Sequence, residues 1–173
     1  MADDTDTSKF QIYRAKDGKG LMEAGCMSLE PYTPVQREGM DRLIESGYLD
    51  GDKVTVLVNI PGFSLTHVWF KKNYPLPLHS HDADCLYYII AGSLKLGSEE
   101  LGPRDSFFVP ADVPYAYKPG PDGVELLEIR HANQFNFAPQ GNSAAYWQKL
   151  AETAAANREE WKTARPPALN AAE

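Results

Sequence analysis

The sequence predicts an all-β protein: an antiparallel barrel or sandwich with a short helix before it and a longer helix after it. From Lys53 the chain falls into short β-rich runs, VTVLVNI, SLTHVWF, CLYYII, SLKLG, SFFV, YAY and VELLEI, separated by Gly, Pro, Asn and Asp. Upstream, Thr33 is an N-cap residue and Pro34 suits the first helical position. Met40, Leu43 and Ile44 follow at helical spacing, and the short helix is expected to end near Gly47. Downstream, SAAYWQKLAETAAANREEWKTA is rich in Ala, Glu and Lys, with Ser143 as N-cap. Tyr146, Trp147 and Leu150 would form one apolar edge of this helix, and Trp161 would anchor its end.

A chain of 173 residues supplies one well-covered core. A single domain is therefore expected over residues 10–164, with the barrel core about 53–137 and the C-terminal helix about 143–163. Residues 1–9 read as a disordered lead and 165–173 as a flexible tail. No internal repeat suggests tandem barrels.

Composition narrows the function. The formal charge of −7 and the absence of a basic stripe disfavour nucleic acid, whose binding depends on clustered Lys and Arg. No apolar stretch approaches the roughly 20 residues that span a bilayer. The start, MADDTDTSKF, is acidic where a secretory signal would be basic and then apolar. Cys26 and Cys85 are too few for a disulfide scaffold. A soluble, cytoplasmic protein acting on a small molecule is expected.

The chemistry concentrates between Asn73 and Gly92, NYPLPLHSHDADCLYYIIAG. Residues two apart on a strand share a face, so His79 and His81 enter the same space. A neutral imidazole is a good metal ligand, and its second nitrogen is available to orient it. Asp82 and Asp84 read as imidazole-orienting groups or as turn residues.

The spacing resembles the first motif of the cupin superfamily, G-x5-H-x-H-x3-E-x6-G. His79, His81 and Gly92 fall on it, Asn73 replaces the first Gly, and Cys85 replaces the Glu. The segment Arg104–Tyr115 resembles the second motif, G-x5-P-x-G-x2-H-x3-N, with only Pro110 retained. Arg104 and Asp112 stand where Gly is usual, Tyr115 at the third His and Pro119 at the closing Asn. The resemblance covers roughly 53–130 and implies a cupin-type antiparallel β-barrel, a jelly-roll-like double-stranded β-helix. Such barrels use three His and one Glu to hold a metal. The implication here is one divalent metal (Fe, Zn, Ni or Mn) on His79, His81 and Cys85, with Tyr115, His67 or His131 as further candidates.

Tyr87 should enter the same cavity. Some cupin lyases that cleave dimethylsulfoniopropionate look similar at this position, which implies a catalytic role; lining is the other reading. Trp69, Tyr115 and Tyr117 are expected to line the substrate pocket. Glu128 and Arg130 share a face of the last strand and read as a cross-strand ion pair. The expected function is a metal-dependent cupin enzyme, of dioxygenase or lyase/isomerase type, acting on a small organic molecule. The alternatives are a non-catalytic ligand-binding or sensor cupin and a structural barrel with a closed interior. A homodimer is expected, with the helical segments covering a sheet edge or the partner.

Overall fold

The computed structural model describes residues 8–170; most of the lead expected over 1–9, and residues 171–173 of the expected tail, lie outside the described residues. The larger of two sheets contains β2 (Asp52–Ile60), β3 (Phe63–Phe70), β5 (Cys85–Leu96), β6 (Glu99–Leu101), β7 (Ser106–Val109) and β8 (Lys118–Arg130). Its order is β2-β3-β8-β5-β6, with β7 also pairing β5, all antiparallel. The smaller sheet, β1-β9-β4, joins β1 (Met27–Leu29), β9 (Phe135–Pro139) and β4 (His79–Ser80). β1 runs parallel to β9.

The antiparallel all-β architecture is the one expected, with both flanking helices present, but the strands differ from the runs read in the sequence. CLYYII and SLKLG are one continuous strand, bent where Gly92 takes φ 74°. A Cβ built on Gly92 would lie 2.2 Å from the Gly123 carbonyl oxygen, so the adjoining backbones approach only because no side chain is there. The run YAY is not a strand; it precedes β8 and meets β4 through an isolated bridge between His79 and Tyr115.

Strand parity decides what faces inward. Along β5 the burial alternates, with Cys85, Tyr87, Ile89 and Ala91 inside. On β8 Val124 and Leu126 are fully buried, and Glu128 and Arg130 continue their parity. On β3 Thr66, Val68 and Phe70 are buried on the core side.

Helix α1 (Leu21–Ala24) is one short turn. Helix α2 (Pro34–Glu45) begins on a capping box: Thr33 Oγ1 accepts from the Gln36 amide, and Gln36 Oε1 accepts from the Thr33 amide. Helix α3 (Ala144–Trp161) starts where Ser143 Oγ accepts from the Tyr146 amide. Trp147 and Trp161, each 1% exposed, seat it, their indole N–H groups donating to the Gly141 and Lys72 carbonyls. Where a flexible tail is expected, Pro167 is buried and α4 (Pro167–Asn170) docks through the Ala168 amide, which donates to Glu125 at 2.7 Å. Among the described residues no helix is long and apolar enough to cross a membrane.

Candidate active site

A cavity of about 650 Å³ lies between the two sheets and is roofed by α1 and α2. The interior of the barrel is therefore not packed shut. Its walls are aromatic and aliphatic: Phe70, Tyr74 and Tyr117 from the larger sheet and its loops, Phe135 and Phe137 from β9, and Met40 and Ile44 from α2. The polar groups on this wall include His79, His81, Tyr115, Glu128, Arg130 and Asp52.

The two imidazoles are brought together as expected of one strand segment, their ring centroids 4.8 Å apart. Each has its Nδ1 tied to a main-chain carbonyl. His79 Nδ1 lies 2.6 Å from the Pro77 oxygen, and His81 Nδ1 contacts the Asn136 oxygen. A carbonyl can only accept, so both rings are protonated at Nδ1 and carry their lone pair at Nε2. Phe137 stacks on His79 at 4.8 Å, and Phe135 meets His81 edge-on. Burial lowers the His79 pKa to about 3, with the neighbouring His81 ring adding to the effect. Burial, then the Arg130 charge, also lowers His81. Both rings are neutral at pH 7.

The tautomers fix the direction of a hydrogen-bond chain. His79 Nε2, as acceptor, receives the Tyr115 hydroxyl at 3.1 Å, and the Tyr115 oxygen in turn receives the hydroxyl of Tyr87. Burial raises the pKa of both phenols well above the usual range. Tyr115 and Tyr117 line the cavity as expected; Tyr87, fully buried, reaches it only through Tyr115.

Two expected site residues are placed elsewhere. Cys85 occupies the inward parity but does not line the cavity: its thiol turns back to the Leu86 carbonyl at 3.8 Å. Burial pushes that thiol up to about 12, so it stays protonated. Trp69 lies on the opposite face of β3 from the cavity-lining Phe70, beneath the Lys71 ammonium, 5.0 Å from its ring centroid. His67 faces Glu125 at 3.3 Å on that same outer side, and His131 is exposed, so neither joins the pair. Asp82 and Asp84 are turn residues, accepting from the Asn136 and Ala111 amides.

Glu128 and Arg130 were expected to be a cross-strand pair and are instead an inward pair on one strand, 2.7 Å apart, with Arg130 1% exposed. Asp52 at the start of β2 was not anticipated. The available signal was parity, since Glu128 and Arg130 continue the inward series Val124, Leu126. For Asp52 there was none, because a lone Asp after Gly51 reads as a turn.

A cupin metal needs three or four donors. Here two neutral imidazoles supply Nε2 lone pairs, but among the described residues no third His, Cys, Asp or Glu gathers with them into a metal-binding group. The remaining cupin positions hold a protonated thiol turned away and a buried phenol, while the charge closest in effect is the cationic Arg130. The donor set does not fit the usual cupin metal.

Comparison with solved structures finds the polyketide cyclase RemF from Streptomyces resistomycificus, 22% identical over 60% of this chain and 83% of that one, with a TM-score of 0.51. It also finds an RmlC-like cupin from Shewanella frigidimarina, 24% identical over 53% and 78% of the respective chains, TM-score 0.42. KdgF from Halomonas sp. is 17% identical over 53% and 82%, TM-score 0.41. No protein-family model matches the chain, and no curated protein matches it. The likeness is one of fold: this chain has the cupin fold.

Proposed function

We propose that this cupin-fold protein is an enzyme of the lyase or isomerase type that moves a proton on a small, largely apolar, ring-bearing molecule held in the cavity. The observation that carries the reading is the directed chain Tyr87–Tyr115–His79 beside the free Nε2 of His81, at the wall of an apolar cavity. His81, kept as the free base, is the group that takes a proton. Tyr115, which accepts from Tyr87 and whose own O–H can turn from His79 to a substrate oxygen, is the group that stabilises the negative charge developing there while keeping its proton; His81 returns the proton it took to another carbon. The surrounding rings exclude water, which strengthens each of these hydrogen bonds. Positioned acid–base groups of this kind contribute typically 10²–10⁴-fold in rate. No metal takes part in this reading, and the dioxygenase branch of the sequence expectation is not carried forward because the donors for it are incomplete.

The test needs no knowledge of the natural substrate. Enolisable aryl ketones are incubated with the protein in D2O, and deuterium wash-in beside the carbonyl is followed by NMR with and without chelator. Exchange above the solvent rate that survives chelation, and that falls roughly 100-fold in Tyr115→Phe and His81→Gln, is the expected result. Exchange that requires an added divalent cation would return the site to metal chemistry. Ligand binding with no exchange across the ketone series would make the protein a binding module.

A further inference from the structure

We infer that the cavity is built for a carboxylate, so that the ligand is an aromatic or alicyclic acid bound through Arg130. This rests on the cavity being the ligand site, as proposed above, and adds the chemical class of what enters it.

Arg130 lines the cavity and is 1% exposed, with the Phe135 ring 4.1 Å from the carbon at the centre of its guanidinium. Only one of its three nitrogens is satisfied: Nη1 donates to Glu128 Oε2 at 2.7 Å, while Nε and Nη2 are buried without a partner among the described residues. Buried donors left unpaired are rare in folded proteins, and an unpaired edge of a cation is the costliest kind to keep. The two free nitrogens are not a random pair. Nε–H and the nearer Nη2–H run parallel along one edge of the planar guanidinium, the edge whose spacing matches the two oxygens of a carboxylate.

The rest of the wall favours the same chemistry. His79, His81, Tyr115 and Tyr117 are uncharged at neutral pH, and of the carboxylates that line the cavity (Glu23, Asp41, Asp52 and Glu128) Glu128 alone among the described residues pairs with Arg130, so the other edge of the guanidinium meets no competing acid. Glu128 offsets the cation when the cavity is empty and remains bonded at Nη1 when the other edge is used. An acid with a flat apolar body would place its ring among Phe70, Tyr117, Phe135 and Phe137 and its carboxylate on Arg130, whose free edge is closed off in the empty cavity and turns toward it on binding, in the same cavity wall as His81, the group that takes a proton.

The experiment uses the neutral fluorescent probe N-phenyl-1-naphthylamine to report cavity occupancy, displaced by 1-naphthoate or by its neutral isostere 1-naphthamide. The inference expects the probe to bind and naphthoate to displace it at a concentration at least roughly tenfold lower than naphthamide. That preference should vanish in Arg130→Gln. It should also vanish in the double variant Glu128→Gln/Arg130→Met, which removes both charges together and so leaves no unpaired charge to compromise folding. Equal displacement by acid and amide, or a preference that persists in both folded variants, would overturn the carboxylate assignment while leaving the cavity as a ligand site. Failure of the probe, acid and amide alike to bind would overturn the cavity reading and this inference with it.

Discussion

Among the described residues, three non-glycine positions hold a left-handed backbone: Asn73 at φ 57°, Arg104 at 78° and Asp112 at 63°. All three stand at positions where the cupin motifs place Gly, so the backbone conformation persists although the side chain that makes it easy does not. This explains why the fold was legible from a degraded pattern: spacing and turn geometry were retained, and chemistry was not. The fourth such position, Gly92, is still Gly, and Gly92→Ala should be severe. It combines a strained φ with a Cβ 2.2 Å from a backbone oxygen, a cost of about 3 kcal/mol or roughly 6–12 °C in melting temperature, readable by calorimetry. Asp52 gives a second residue-scale test. Burial raises its carboxyl to about 6, against the opposing effects of Lys71 and Tyr74. Its folded-state value lies above the unfolded one, so the stability it contributes is present below about 4 and lost as pH rises through 6. Asp52→Asn is therefore expected to raise the melting temperature at pH 7.5 and leave it unchanged at pH 3.5. His79 acts with the opposite sign. Its value near 3 is below that of an unfolded His, so its contribution is present above about 6.5 and lost as pH falls toward 3.

At the scale of elements, the helices were readable because capping chemistry is local. Thr33, Pro34 and Ser143 state where helices begin without reference to anything distant. The small sheet was not readable: β1 and β9 are three and five residues long, join in parallel, and are more than 100 positions apart, so no local period announces them. That sheet matters to the site, because the Asn136 carbonyl of β9 fixes the tautomer of His81 and Phe137 stacks on His79. The face of Trp69 could not be settled from alternation alone, since Val68, Trp69 and Phe70 are all apolar and all buried. Helix packing supplies a test at this scale. A Cβ at Gly39 of α2 would fall 2.2 Å from the Trp147 ring of α3, so the two helices close only because position 39 is bare. Gly39→Ala, which ordinarily favours a helix by about 1 kcal/mol, should here lower the melting temperature. A Gly39→Ala/Trp147→Leu double variant should recover part of that loss.

For the whole molecule, the remaining question is what covers the outer face of the larger sheet. The helices are not free to pair two copies through Trp147 and Trp161, because both indoles are buried within the chain. The outward residues of β5 are apolar where a solvated face would be polar: Leu86 is 42% exposed, Tyr88 39% and Ile90 37%, with Phe108 of β7 at 57%. Register makes them contiguous. Phe108 pairs with Leu86, Leu86 with Ile129, Ile129 with Leu65, and Leu65 with Val58, an apolar row across five strands. Exposed apolar surface of this continuity is what homodimer interfaces bury, and a twofold axis through the row would set Leu86 and Phe108 of one protomer against the same residues of its partner. The expected outcome is a homodimer in sedimentation equilibrium at micromolar concentration, converted to a monomer by Leu86→Lys/Phe108→Lys, which sets like charges against one another across the axis. Both substitutions point outward, so the circular dichroism spectrum and the binding of a neutral cavity probe should be unchanged in the monomer. A monomeric wild type would remove the expectation of a dimer, and a double variant that remains dimeric would move the interface to another face. The cavity opens between the two sheets and not on this outer face. Dimerisation through the row would therefore leave the path to His79, His81 and Arg130 clear, and ligand affinity should be the same above and below the dimer dissociation constant.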